Sequence, residues 1–318
     1  MVNYRKKDVK LKPFYIASIA CCVLAVVLGL VVGSSNSNYH LEEATEIRLS
    51  SGKDISLRGE TMYNDTIYLT KDITVTDPDA TIGSSEHPFC GVFDGQGHTI
   101  YLDYSVATAD TSLFNYLSPE AVVKNVNFVY SSVTVSGTSF GGIAKINDGT
   151  IENCKVVFGD ITITGEGLFS PLVVMNRGTI SNVVVNGRVS SVAGASNEDK
   201  ILYGNVCVYN SGVISNLIVD ASYQGFVCTD ETGYREGTTR NVGISAVRCH
   251  DLEGGKTLNA VGIVSQGNIT SDMFRDIEFS TKNEVYNFNK IFNALRFDNS
   301  IWEIGDDDLI LLVEDNVK

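Results

Sequence analysis

Asp94 and His98 stand four residues apart in FDGQGHTI, and a carboxylate beside an imidazole is the pairing that general acid–base catalysis uses. Glycoside hydrolysis needs paired carboxylates roughly 5–10 Å apart. Eliminative cleavage of polysaccharides sets cation-binding acids beside a proton-abstracting base. Asp160, Arg188 and Asp220, spaced by 28 and 32 residues, come nearest to such a set on adjacent repeats, but their local contexts differ and form no signature. His40, His87 and His250 are isolated. No serine or cysteine sits in a nucleophile elbow, and DGQG lacks the lysine and the following helix of a phosphate loop. Asp306, Asp307 and Asp308 are adjacent acids in a tail, the usual form of a solvated run. The sequence therefore assigns no catalytic residue, no metal site, no cofactor and no defined ligand-binding residue.

The cysteines add no chemistry. Cys21 and Cys22 lie in an apolar run, and Cys90, Cys154, Cys207, Cys228 and Cys249 are widely spaced, odd in number and without a CxxC. Neither a disulfide framework nor a zinc site follows, and small buried hydrophobes are the plainer reading.

The chain has 318 residues, of which 43% are hydrophobic and 19% charged, with a net charge of −14. That is enough apolar material for a large core. Arg5, Lys6, Lys7, Lys10 and Lys12 precede the apolar run against Asp8 alone, so the rest holds 19 Lys and Arg against 37 Asp and Glu. A surface that acidic repels phosphate backbones and excludes nucleic acid as a partner. The 29 glycines against 5 prolines point to many tight turns.

Residues 14–33, FYIASIACCVLAVVLGLVVG, run for 20 positions without a charge. As a helix they would span about 30 Å, the thickness of a bilayer core. The basic cluster before the run keeps the N-terminus in the cytoplasm and sends the remainder out. The expected organisation is a cytoplasmic tail (1–12), a transmembrane signal anchor (13–33), a polar linker (34–45), a repeat domain (46–270) and a C-terminal coil and cap (271–318). The localisation that follows is a single-pass cell-membrane protein with its C-terminal domain extracellular. A cleaved leader ending near Val31-Val32-Gly33 is the alternative.

One motif recurs in the outer part. NDGTIENC begins at Asn147, NRGTISNV at Asn176 and NSGVISNL at Asn210, all of the form N-x-G-x-I-x-N with an apolar residue following. A degenerate copy, EAVVKNV, precedes them. The second asparagines are Asn125, Asn153, Asn182 and Asn216, spaced 28, 29 and 34 residues apart. Apolar residues come in short bursts at period two, punctuated by Gly or Asn, which reads as strand and turn. Each unit is too short to bury its own apolar face, and stacking as coils solves this. Asparagine at a corner tolerates left-handed backbone and can bond the copies above and below. Gly149, Gly178 and Gly212 are expected to supply positive φ at the turn. All seven of these Asn and Gly positions read as architecture rather than as a binding site.

The repeat resembles the GLUG motif of bacterial surface proteins, in which glycine-led apolar triplets precede N-x-G-x-I-x-N. TIYLTKDITVT (66–76) followed by FCGVFDGQGHTIYLDY (89–104) is similar to the first coils of those proteins, and FDNSIWEIGDDDLILLV (297–313), with Trp302, to their closing segment. The resemblance implies an all-β, right-handed parallel β-helix shown on a bacterial surface, often adhesin-like or beside proteases. It also implies that Asp94 and His98 form a turn. Residues 226–260 depart from the pattern, and the corner asparagines stop there.

A solenoid needs covered ends. EVYNFNKIFNAL (284–295) places Phe288, Ile291, Phe292 and Leu295 on one helical face and suits a short C-terminal capping helix, with an irregular strand as the alternative. The leading functional expectation is a non-catalytic adhesion or interaction module contacting glycans or surface proteins. The alternatives are a carbohydrate-active enzyme and a structural spacer or subunit of the cell envelope. Tyr203, Tyr209, Tyr223 and Tyr234 are the aromatic residues to check for sugar stacking.

Overall fold

In the computed structural model, the described residues are 44–103, 106–108, 112–136, 139–164, 167–193, 201–204, 206–223, 238–244, 250–251, 256–262, 277–279, 297–298, 300–304 and 309–311. The tail at 1–12, the anchor at 13–33, the helix expected at 284–295 and Asp306 to Asp308 lie outside them. Among the described residues no helix is long and apolar enough to cross a membrane.

The described residues begin with β1 (Glu46–Leu49), α1 (Gly52–Arg58) and a single 3-10 turn, then β2 (Thr66–Leu69), β3 (Ile73–Val75), β4 (Val92–Asp94), β5 (Thr99–Leu102), β6 (Val106–Thr108), β7 (Phe114–Leu117) and β8 (Val122–Ser136). Three coils follow, each giving one strand to each of three sheets. They are β9 (Ser139–Gly141), β10 (Ala144–Asn147) and β11 (Thr150–Thr164); β12 (Gly167–Ser170), β13 (Val173–Asn176) and β14 (Thr179–Ala193); and β15 (Ile201–Tyr203), β16 (Cys207–Asn210) and β17 (Val213–Tyr223). Beyond them lie β18 (Thr238–Ile244), β19 (His250–Asp251), β20 (Lys256–Gly262), β21 (Ile277–Phe279), β22 (Trp302–Ile304) and β23 (Leu309–Leu311).

Equivalent strands pair in parallel. The first sheet runs β1-β2-β4-β8-β11-β14-β17-β18-β20-β21, the second β7-β10-β13-β16-β19 and the third β9-β12-β15. The protein is an all-β parallel β-solenoid with little helix. Its repeat length follows from the sequence: each N-x-G-x-I-x-N copy supplies the end of a short strand, a turn and the start of a long one.

Register places like on like inside. Ile47, Ile67, Phe93, Val123, Ile151, Ile180 and Ile214 form one column through seven successive strands. All but Ile47 are fully buried. A second column stacks Val126, Cys154, Val183 and Leu217. Burying each such side chain stabilises the stack by about 1.5–3 kcal/mol, a gain that exists only when a neighbouring coil is present. Cys154 fills its place as a small hydrophobe, and burial pushes its thiol pKa far up.

The N-terminal end of this core is covered by α1, which the sequence reading left unassigned. Ser51 caps it by accepting from Lys53 N at 3.3 Å, and Ile55 turns inward to be 2% exposed. Ser51 followed three residues later by Asp54 was the available signal. Late in the chain β22 and β23 form an antiparallel pair. Trp302 in it is buried edge-on to Phe297 at 5.4 Å, and β23 lies against β8 and β11.

The region expected to be irregular after residue 226 keeps the register in part. β18 pairs with β17, and β20 with β18, both parallel. Since Ser215 and Leu217 face Arg240 and Val242, Asn241 falls opposite Asn216. By the same register Asn259 falls opposite Asn241. An asparagine thus holds the equivalent register position on β18 and β20, hidden in the sequence because the spacing drops to 25 and then 18 residues.

Candidate binding face on the second sheet

The corner asparagines carry the bend. Asn125, Asn153, Asn182 and Asn216 have φ of 53°, 51°, 53° and 52°, in the left-handed region that asparagine tolerates better than other side-chain-bearing residues. One left-handed residue resets the alternation, so Ile180 and Val183, three apart, both point inward. Asn153 Nδ2 donates to Asn125 Oδ1 at 3.2 Å, and Asn216 Nδ2 to Asn182 Oδ1 at 2.8 Å. Asn125 in turn donates to Asp94 Oδ1 at 3.2 Å.

The first asparagine of each motif forms a second ladder, which sequence reasoning missed. Asn147 Nδ2 donates to Asn176 Oδ1, and Asn176 Nδ2 to Asn210 Oδ1, each at 2.8 Å. All three residues are fully buried. Their recurrence at the head of N-x-G was the signal.

The motif glycines work differently from the expectation. The positive-φ glycines among the described residues are Gly83, Gly97 and Gly187; Gly149, Gly178 and Gly212 are not among them. What excludes a side chain at these three is the neighbouring coil. A Cβ on Gly178 would lie 2.1 Å from Gly149 O, one on Gly212 would lie 2.1 Å from Gly178 O, and one on Gly149 would lie 2.4 Å from Ala121 O.

The residues first considered for catalysis are accounted for by structure or remain apart. Asp94 is 5% exposed; its Oδ1 accepts from Gln96 N at 3.0 Å, and Lys124 Nζ lies 3.5 Å from its Oδ2. It is the terminal acceptor of the first ladder. His98 Nδ1 is 3.5 Å from Asp72 rather than from Asp94. Register brings Asp160 opposite Arg188, but Asp220 opposite Asn186, two positions away from Arg188. His87 is half-buried, its ring 5.0 Å from that of Tyr63. His40 and Tyr234 lie outside the described residues.

A surface constellation does assemble on the second sheet. Register aligns Tyr116, Ile146, Met175 and Tyr209 on β7, β10, β13 and β16. All four are half-buried, and the core is left to Phe114, Ala144, Val173 and Cys207 on the same strands. Strand spacing sets the rungs about 4.8 Å apart. Beside this strip, the turns after β10 and β13 bring Asp148 and Arg177 together. Arg177 and Asp148 form an ion pair, with Arg177 Nη2 donating to Asp148 Oδ2 at 2.7 Å and to Tyr116 Oη at 3.3 Å. The Tyr116 hydroxyl donates to Asp148 Oδ2, and the guanidinium carbon sits 5.9 Å from the Tyr116 ring centroid. The hydrogen bond to Asp148 holds the Tyr116 pKa above its usual value, reinforced by burial, and the same carboxylate raises that of Arg177. The result is a fixed aromatic ring, guanidinium and carboxylate drawn from three successive coils. Tyrosine and arginine are the residue types that most often anchor binding surfaces. Only the fold could reveal it, since its members lie 32 and 29 residues apart.

No family model matches this chain, and no curated protein matches it. Among solved structures it is similar to one described as "a putative immunoglobulin A1 protease from Bacteroides ovatus", with a TM-score of 0.50 and 16% identity over 84% of this chain and 91% of that one. At that identity the likeness is one of fold, and the shared fold is a parallel β-solenoid.

Proposed function

We propose that this protein is a surface-anchored β-solenoid of GLUG type that acts as a non-catalytic interaction module, binding glycans or surface proteins. The observation that carries the reading is the strip of Tyr116, Ile146, Met175 and Tyr209, flanked by the Asp148–Arg177 pair, across four consecutive rungs. A flat ladder of half-buried aromatic and apolar side chains with a polar edge suits an extended ligand. The apolar run at 13–33, with its basic flank, supports attachment to the membrane and exposure of the solenoid outside the cell. The GLUG resemblance of the repeat supports surface display and a right-handed coil.

The test is retention of the full-length protein on immobilised glycans and surface proteins. Tyr116→Ala/Tyr209→Ala is expected to weaken the captured interaction at least tenfold while leaving the far-UV spectrum intact. Undiminished capture by that variant would overturn the reading. Polysaccharide cleavage is the second reading, favoured only by the register of Asp160 with Arg188. New reducing ends or unsaturated products that vanish in Asp160→Asn would establish it instead.

A further inference from the structure

A cleft of about 300 Å³ opens near the N-terminal end of the solenoid, between α1 and the turn that joins β2 to β3. Its lining includes Lys53, Ser56, Lys71, Asp72, Thr74 and Thr76. The charge arrangement there is unusual for this chain, in which acids outnumber bases 38 to 24. Three basic side chains elsewhere are paired with carboxylates, Arg48 with Glu46, Lys124 with Asp94 and Arg177 with Asp148. Lys53 and Lys71 form no ion pair among the described residues. Asp72, the acid of the lining, is turned to other work. Its Oδ1 accepts from Thr99 N at 2.9 Å, and His98 Nδ1 lies 3.5 Å away. The cleft therefore offers two ammonium groups and several hydroxyls around a volume at the lower end of the small-ligand range.

We propose that this cleft binds the terminal carboxylated sugar of an acidic glycan. Ammonium groups are the partners a carboxylate requires, and serine and threonine hydroxyls exchange hydrogen bonds with sugar hydroxyls. The chain's overall negative charge opposes a long polyanion, so the cleft takes one residue at a chain end rather than an internal stretch. This site is separate from the strip on the second sheet and goes beyond the interaction reading, with which it shares only the ligand class.

The test is calorimetric titration of the full-length protein in nanodiscs of neutral lipid. The probes are a trisaccharide ending in glucuronic acid, its neutral glucose-ended counterpart and inorganic sulfate. The uronate-ended probe is expected to bind at least tenfold more tightly than either of the others. Lys53→Ala/Lys71→Ala is expected to lower its affinity at least tenfold, and Lys53→Arg/Lys71→Arg to keep most of it. Equal binding of the neutral probe, equal binding of sulfate or an unaffected double-alanine variant would each overturn the assignment. Tyr116→Ala/Tyr209→Ala separates the two claims. If that variant loses capture on the glycan or protein surface while no uronate binding is seen in any form, the interaction reading stands and the cleft assignment falls.

Discussion

Asn147 donates its side-chain amide to Asn176 Oδ1 at 2.8 Å from the same inner corner of the neighbouring coil, and both residues are fully buried. Because Asn176 passes the pattern on to Asn210, one residue closes two rungs. Asn176→Ala should remove the ladder bond on each side, leaving Asn147 Nδ2 only Thr179 O at 3.4 Å and Asn210 Oδ1 only the Gly212 N–H at 3.2 Å, at about 0.5–1.5 kcal/mol for each bond lost. Thermal unfolding followed by circular dichroism should show a markedly lower midpoint for this variant than for an alanine at exposed Lys71. An unchanged midpoint would mean that the ladder adds nothing.

At Asn153 the backbone as well as the amide matters, since φ is 51°. Glycine there loses the rung to Asn125 but keeps the bend, whereas valine loses both. Asn153→Val should therefore be less stable than Asn153→Gly by about 1–2 kcal/mol, the cost of left-handed backbone for a side-chain-bearing residue. Equal stability of the two variants would contradict the conformational role.

Gly178 tests close approach rather than conformation. A methyl group there would meet Gly149 O at 2.1 Å, and backbone cannot retreat as a side-chain tip can. Gly178→Ala should cost about 1–3 kcal/mol through overpacking, even though its φ suits alanine. The measurement is the unfolding midpoint, together with increased protease cleavage near the first and second complete coils.

The pH dependence of the Tyr116 contact has a definite sign. Its folded pKa is raised, chiefly by the hydrogen bond to Asp148, so the contact contributes fully below the ordinary tyrosine pKa of 10.0 and is lost as pH rises through the higher folded value. In an alkaline titration followed by tyrosinate absorbance, Tyr116→Phe should remove one late-titrating group from the parent's curve. Titration of all tyrosines together in the parent protein would rule the contact out in solution.

The features legible in the sequence were those repeated at a fixed offset. The alternating Ile and Val bursts identify strands, and N-x-G-x-I-x-N identifies a stacked corner, because both are local patterns that every coil must repeat. The bend at Asn125, Asn153, Asn182 and Asn216 needs only the residue type and its position. Asn241 and Asn259 escaped notice because the loops between coils shrink while the register holds, and only pairing shows register. The glycines looked like turn-formers because φ and interatomic crowding select the same residue. The Tyr116, Asp148 and Arg177 cluster was beyond reach, since each member is unremarkable in its own coil and becomes a site only when three coils are in line.

The most direct measurement of the central claim is binding of the full-length protein, at matched fold and concentration, to a surface that captures it. The interaction reading predicts that Tyr116→Ala/Tyr209→Ala binds at least tenfold more weakly, with Arg177→Ala reducing binding further. Parent-level binding by the triple variant with its spectrum intact would contradict the account and move the binding face off the second sheet.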